Sequence, residues 1–596
     1  MRLMAAMLVP LFLLGFLELG LRVTGYGASS RFFISSQIDG EKFLIPNRKF
    51  THKFFPASIA RTPLPLRMAA HKPEGTCRIF LFGESAAYGD PDPSFGMGRY
   101  LEALLESRYP ATDFEVVCVA ITAINSHVIL PVARDCAKRD GDLWVVYMGN
   151  NEMVGPFGAG TVFGQKAPPL RFVRSVLALK TTRVGQLLDG LLAGLRKGSS
   201  APEKWRGIDM FSKNKLRYDD AGRLRAYENF KGNLDDILSA GQRAGVPIIL
   251  STVASNLKDC SPFASLHSTG LDAEQLAEWD RLVQKGADLE AAGSFQAALV
   301  AYTDAAAIDQ DFAELSFHIG TCQLALGRND EAVKAFERAR DYDALAVRAD
   351  TRINEILLDA IQRHAADGVI GVDAVRALSS QATDGFPGKE FFYEHVHFTL
   401  AGNYSLARIL AAKVTEALPD SITAGGGKGL AEAEEQACDR RLAVTVWDQK
   451  RVWDVALGRI SGAPFTAQSS HLRNVRYCKE RIKEIALRTT PATSASDRQM
   501  YLAALERKPD DTQVRWNYAQ FLERAGSLSD AIVQGQIICD QVPHAPWPHY
   551  FVGSVMAREG RIAEATKYLK QSIKIDRNTS QARKELGQIR ARYPGL

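Results

Sequence analysis

The chain contains no C-x-x-C pair. Its eight cysteines, at 77, 118, 136, 260, 322, 438, 478 and 539, lie far apart. That spacing argues against zinc ribbons and dithiol redox centres, and several of these cysteines sit in apolar segments where the residue behaves as a small buried hydrophobe. A concentrated basic tract is also missing. With 73 basic and 68 acidic residues the net charge is only +5, so a nucleic-acid role has no support. At 46% hydrophobic and 24% charged, the composition is that of a globular protein, neither disordered nor polytopic. A length of 596 residues exceeds one ordinary core and implies several units.

One apolar run is prominent. From Leu3 to Leu17 the chain is uncharged, then Glu18 interrupts before Leu19-Gly20-Leu21. It is somewhat short for a spanning helix unless Glu18 lies at the interface. No clean small-x-small cleavage site follows in "LRVTGYGASS". Residues 1–25 are therefore read as an uncleaved membrane anchor, with the bulk of the chain exported to a periplasmic or extracellular space. A cleaved signal peptide and a buried helix of a cytosolic protein are the alternatives. Arg2 on one side and Arg22 and Arg31 on the other leave orientation open.

After a polar, Pro-containing stretch read as a linker over 26–74, strand and helix patterns alternate. Strands are expected at Cys77–Phe82, Phe114–Ala120, Leu143–Met148, Pro247–Ala254 and Val369–Val372, with helices such as 98–107 and 229–244 between them. This alternation predicts an α/β fold, a parallel sheet covered on both faces. The gap between the fourth and fifth strands is too long for a crossover and signals an insertion. There, Gly286, Gly293, Ala298, Tyr302 and Ala305 recur as Gly320, Gly327, Ala332, Phe336 and Ala339. Every offset is 34 residues, the tetratricopeptide period, and 279–346 resembles two such repeats. Near the C-terminus Ala519, Gly526 and Ala531 pair with Gly553, Gly560 and Ala565 at the same offset. The expected units are thus 75–278 and 347–420 for a split α/β domain, 421–430 for a Gly-rich linker, and 431–596 for a helical region ending in repeats.

Chemistry-bearing residues gather at the predicted strand ends. The first strand stops in Gly83-Glu84-Ser85, the second leads into "VAITAINSH" from Val119 to His127, and the third ends in Gly149-Asn150-Asn151-Glu152. Further on, "FFYEHVHF" sets Glu394 three residues before His397. A serine just past a strand's carboxyl end sits where open α/β sheets bind ligands. Gly83-Glu84-Ser85, Gly149-x-Asn151-Glu152 and Glu394-x-x-His397 resemble the first, third and fifth motif blocks of the SGNH/GDSL hydrolase superfamily, in the family's order, with "TAINSH" in the place of the second. The resemblance covers roughly 75–280 and 346–415. It extends to forms carrying an N-terminal anchor and tetratricopeptide repeats.

The resemblance implies a three-layer α/β/α sandwich of flavodoxin-like, SGNH type. It implies Ser85 as nucleophile, His397 as base and Glu394 as the group orienting the imidazole. The oxyanion hole would be the backbone N–H of Ser85, the backbone N–H of Ala120 and the side-chain amide of Asn151. No cofactor or metal is implied. The expected activity is hydrolysis of an ester, through an acyl-serine, on an acylated carbohydrate or lipid. The alternatives are an acyltransferase using the same triad and an inert scaffold binding partner proteins through its repeats.

Three departures from the family pattern stand out: glutamates at 84 and 394 for the usual aspartates, and alanine at 120 for glycine. His395 and His397 with Glu394 form the one metal-like grouping, disfavoured for lack of a third histidine motif. Asp373 reads as a cap in preference to a competing triad acid. His127 is read as a hydrogen-bonding loop residue, and Phe391, Phe392 and Tyr393 as packing. Asn256, Asp259 and Cys260 face the active rim without an assigned role.

Overall fold

The computed structural model describes residues 2–38, 40–195, 204–425 and 434–593. Eight strands occur among them. β1 (Phe33–Ile38), β2 (Glu41–Pro46) and β3 (Met68–Ala69) form a small antiparallel sheet. β4 (Thr76–Gly83), β5 (Asp113–Cys118), β6 (Leu143–Tyr147), β7 (Ile248–Ser251) and β8 (Val369–Val372) form a parallel sheet in the order β5-β4-β6-β7-β8. All eight residues of β4 are buried, as expected of a central strand covered on both faces. β4 has β5 on one side and β6 on the other, in registers that pair Leu81 with Cys118 and Gly83 with Tyr147. Strand order therefore reverses at β4, and a crevice opens beyond its carboxyl end.

The stretch 26–74, expected to be a linker, is structured. It builds the antiparallel sheet and buries Phe32, Phe33, Phe50, Phe54 and Phe55 in the main core. Its aromatics come singly or in pairs among polar residues, so no strand-length apolar run marks it in the sequence. Residues 438–485 of the C-terminal region also belong to that core, through Cys438, Leu442, Val452, Trp453, Ile460 and Cys478. Of the expected 421–430 linker, residues 426–430 lie outside the described residues, as do 431–433 at the start of the helical region and 196–203.

Helix pairs Ala273–Ala291 with Phe295–Ile308, and Ala313–Ala325 with Asn329–Asp341, interrupt the sheet domain between β7 and β8. The 34-residue correspondence has a direct steric cause. A Cβ on Gly286 would lie 2.4 Å from the Tyr302 ring, and one on Gly320 2.8 Å from Phe336, so each small residue admits the aromatic of the facing helix. Gly293, Gly327, Gly526 and Gly560 all take φ of 74–84°, the left-handed turn that glycine adopts freely. Two repeats alone are marginal. The inserted pair docks on the sheet domain, where Phe317 and Phe336 pack with Leu257 and Phe386. The C-terminal pairs, Thr512–Arg524 with Leu528–Gln541 and Pro546–Arg558 with Ile562–Ile575, have their own core. Arg48–Asp576 at 2.6 Å and Lys508–Glu102 tie them to the sheet domain.

Among the described residues no helix is long and apolar enough to cross a membrane. The apolar N-terminal run lies in the helix Arg2–Val23.

Candidate active site

At the end of β4 the backbone turns sharply. A Cβ on Gly83 would sit 2.2 Å from the Tyr147 carbonyl and 2.4 Å from the Ala87 Cβ, so only glycine lets β4 and the following turn approach this closely. Ser85 opens the one-turn helix Ser85–Tyr88, which Gly89 ends at φ 90°. The Asp90 N–H donates to the Ser85 carbonyl at 3.0 Å. Glu84 turns inward. One carboxyl oxygen accepts from the N–H of Asn150 at 2.8 Å and of Asn151 at 3.3 Å, bracing the loop after β6. Burial, then the nearby Glu152, pushes Glu84 well above the usual carboxylate range. Burial lifts Glu152 to about 7 while it accepts from the Ser126 N–H and hydroxyl, each at 2.8 Å.

Glu394 and His397 lie in a closed loop. Phe392 and Phe398 bridge in antiparallel fashion with rings stacked at 4.7 Å. The Tyr393 N–H donates to the His397 carbonyl at 2.8 Å and the Thr399 N–H to Phe391 at 2.8 Å. Thr399 then caps the helix Leu400–Ala417. Asn256 fastens the loop from below. Its side chain donates to the Glu394 carbonyl at 2.9 Å, and its N–H donates to the His395 carbonyl at 2.9 Å. Asn256 thereby gains a role that its position after β7 did not disclose.

Within the loop His397 Nδ1 hydrogen-bonds Glu394 Oε1, and His395 Nδ1 hydrogen-bonds Glu394 Oε2. Burial alone would raise the Glu394 carboxyl, but the two imidazoles outweigh it and hold the group well below its ordinary range. Burial lowers His395, against the pull of the Glu394 carboxylate. A guanidinium completes the cluster. Arg459, from the helix Val446–Ile460, places Nη1 3.0 Å from Glu394 Oε1 and 2.8 Å from His397 Nδ1. Its Nη2 donates to Asp90 Oδ1 at 2.7 Å, and Asp90 Oδ2 lies 3.6 Å from His397 Nε2.

A cavity of about 360 Å³ joins these groups; Ser85, Asn151, His397, Asp90 and Arg459 all line it. Two buried polar atoms in its wall, Asn151 Nδ2 and His397 Nε2, have no hydrogen-bond partner among the described residues. Ala120 is buried and is not in the cavity wall, which the same loop supplies through Thr122 and Ala123. The left-handed residue of that loop is Ala123, φ 60°, so alanine at 120 carries no such strain. Arg61 from the 26–74 stretch, Trp205 and Phe465 close the far side. The Arg61 guanidinium stacks 4.4 Å over the Trp205 ring and donates to the Thr122 hydroxyl at 2.9 Å.

Glu394, His395 and His397 present ligand atoms within 4.8 Å of one another. With Arg459 against two of the three, a cation would face a fixed positive charge, and the donor set fits an ion-paired cluster better than a metal centre. Asp373 caps the helix Ala374–Ser379 and accepts from the Thr252 hydroxyl at 3.0 Å, far from the imidazoles in role. His127 bonds Asn233 at 3.0 Å and is lowered to about 4 by burial. Asn125 donates to Pro156, and Asn150 accepts from Ala349; both shape the loops around the cavity. Asp259 accepts from the Lys389 N–H at 2.9 Å.

Sequence reasoning missed Arg459, Asp90, Arg61, Trp205 and Phe465. Asp90 lies inside the Ser85 stretch and was within reach of inspection. Arg459 sits 62 positions beyond its histidine on an ordinary amphipathic helix, and nothing local marks it.

Comparison with protein families matches tetratricopeptide repeat models at residues 289–349 and 498–546. No curated protein matches. Among solved structures, the chain is similar to YrrB, described as a TPR protein with an unusual peptide-binding site (13% identity, TM-score 0.16, covering 50% of this chain and 88% of that one). It is also similar to the TPR2AB domain of yeast Sti1 in a pHSP90 complex (12%, TM-score 0.15, covering 52% and 97%). A third is the P58(IPK) TPR domain (13%, TM-score 0.16, covering 53% and 98%). At such TM-scores these likenesses add nothing to the repeat assignment. The chain therefore joins tetratricopeptide repeats to a parallel five-stranded α/β domain of unassigned family.

Proposed function

We propose that the α/β domain is a serine esterase of the SGNH type. One observation carries this reading: a serine hydroxyl, an unpartnered imidazole Nε2 and an unpartnered side-chain amide donor face the same cavity. His397, oriented at Nδ1 by an ionised Glu394, accepts the proton of Ser85 as the hydroxyl attacks an ester carbonyl. Asn151 Nδ2 and the Ser85 N–H receive the developing oxyanion; Ala120, the third donor expected from the family pattern, lies outside the cavity wall. His397 returns the proton to the leaving alcohol, and water then releases the acyl group by the reverse sequence. Asp90 and Arg459 hold the imidazole edge and the carboxylate in place and supply balanced charge.

The substrate class is an acylated carbohydrate or lipid, met outside the cytoplasm by a chain held through its N-terminal segment. The repeats bind a partner protein. An acyltransferase would use the same acyl-enzyme with a sugar hydroxyl in place of water. An inert scaffold is the reading from another class.

The test is covalent labelling of the purified chain with a fluorophosphonate probe. Labelling is expected in the parent and absent in both Ser85→Ala and His397→Ala. Asn151→Ala is expected to retain the serine while losing about 10²–10³ in turnover of a model ester. A parent chain that never labels would leave the scaffold reading standing.

A further inference from the structure

More than half of the large apolar side chains left exposed among the described residues lie on three helices that pack on one another. These are Arg2–Val23 and the successive pair Leu170–Thr181 and Arg183–Leu195. Scattered exposed leucines need no explanation, whereas a concentration on one element does. On the second helix of the pair, Leu188, Leu191 and Leu192 are exposed at i, i+3 and i+4, the spacing of a single face. On the first, Phe172 and Leu179 are exposed two turns apart on one side, while Val173 on the other side is fully buried. Each helix is thus amphipathic, and its outward stripe has no protein partner among the described residues.

The pair is fixed to the body of the protein. Arg174 pairs with Asp236 at 2.9 Å, and a Cβ on Gly185 would strike the Leu179 carbonyl at 1.9 Å, so the two helices meet in a tight bend at Thr182. The N-terminal helix is fastened to the same place. Glu18, the charge that interrupts its apolar run, accepts from the Val184 N–H at 2.9 Å. Just after that helix, the Ala28 N–H donates to the Gln186 side chain at 2.8 Å and its carbonyl accepts from it at 3.1 Å. The apolar run therefore departs from the surface that the pair itself presents. The pair also carries Arg171, Arg174, Lys180 and Arg183 against Asp189; Lys180 pairs with Asp189 at 3.0 Å, and Arg171 is exposed.

We propose that residues 170–195 form a second, interfacial membrane contact, an amphipathic helix pair lying in the headgroup region of an anionic lipid bilayer beside the N-terminal segment. The occupant of this surface is the bilayer. Exposed leucines and Phe172 enter the acyl boundary, and the basic residues meet anionic headgroups, as amphipathic interfacial helices do. The contact would hold the body of the protein in one orientation, where an N-terminal helix alone would leave it tethered and free to turn. It rests in part on reading the N-terminal run as a membrane segment, so the experiment must separate the two.

The full chain is reconstituted into phosphatidylethanolamine vesicles containing phosphatidylglycerol, with an environment-sensitive fluorophore at one introduced cysteine: Leu191→Cys, Phe16→Cys or, as an aqueous reference in the C-terminal repeats, Val533→Cys. All three positions are exposed, so the substitutions leave the core intact, and the unsubstituted chain is carried through the same labelling. The expected result at Leu191 is a blue-shifted emission quenched by nitroxide-bearing lipids, with the Val533 signal unshifted and unquenched. A lipid-quenched Phe16 beside a water-exposed Leu191 would overturn the interfacial contact and leave the anchor standing; both in water would overturn both. A Leu191 label shielded from water yet untouched by lipid-borne quencher would place a protein, including a second copy of this chain, on that face and also overturn the proposal.

Discussion

Replacing Arg459 by glutamine removes the guanidinium that binds Asp90 at 2.7 Å and Glu394 at 3.0 Å and leaves a shorter, neutral amide. Two carboxylates are then left beside one imidazole without their cation. Removing one partner of a fully buried pair costs about 3–5 kcal/mol. Here Glu394 is 2% exposed, but Arg459 and Asp90 are 25% and 23% exposed, so water recovers part of that and the expected loss at pH 7 is about 2–3 kcal/mol. The pH dependence follows from the direction of the shifts. Burial pushes Asp90 up, yet Arg459 and then His397 outweigh it and hold it below its ordinary value. Glu394 is held well below its own ordinary value by His395 and His397. A depressed carboxylate contributes stability that is present above its unfolded value, near 4, and is lost as pH falls through its folded value. In Arg459→Gln Asp90 loses the largest of the charges that depress it and takes up a proton at higher pH, while Glu394 keeps the imidazoles that hold it down. The cost of the substitution is therefore greatest at neutral pH and shrinks as pH approaches 4. Paired urea titrations of parent and variant at pH 7 and pH 4 measure this, with Trp453 on the same helix as a local fluorophore. An equal cost at the two pH values would refute the electrostatic account and assign Arg459 to packing.

Asn256→Ala removes the side-chain donor to Glu394 and the acceptor of the Asp259 N–H; a loss of about 1–3 kcal/mol and slower fluorophosphonate labelling are expected, the latter restored by no change in pH. Gly320→Leu drives a side chain into the Phe336 ring and should cost about 1–3 kcal/mol, seen as a lower thermal midpoint. Gly458→Ala, where a Cβ meets nothing within 4 Å in the last turn of the helix Val446–Ile460, should instead raise it by the equivalent of about 0.5–1 kcal/mol. Burial pushes Cys77 to about 12 and Cys260 to about 11, so iodoacetamide at pH 8 should leave both unmodified in the native chain and alkylate them after urea denaturation.

The parts of the fold legible in the sequence are those governed by local pattern. Val369–Val372 coincides with β8 residue for residue, and Leu143–Met148 overruns β6 by one, because short buried parallel strands are continuous apolar runs ended by turn residues. The 34-residue recurrence was legible because the Gly286–Tyr302 and Gly320–Phe336 contacts repeat one steric solution. What local pattern does not encode is docking. The aromatics of 26–74 find their partners on the far side of a sheet whose strands lie elsewhere in the chain. Pro247–Ala254 extends past β7, since apolar residues continue into a buried loop where Val253 and Ala254 bond to Asn354 and Tyr147 side chains. At the site, the hydrogen bond from His397 to Glu394 lies within a three-residue span and is inherent in the motif. The cation across from it is supplied by a helix that no spacing rule connects to the loop.

That helix has a temporal consequence. The cavity wall draws Arg61 from before the five-stranded sheet and Arg459 and Phe465 from beyond its last strand. A polypeptide emerging from a ribosome can complete the five-stranded sheet with β8 before Arg459 appears. Until then Glu394 and Asp90 lack their counter-ion, and the pocket stands open on one side. Completion of the cavity wall and of its charge balance is thus deferred until the stretch that carries Arg459 and Phe465 has been made.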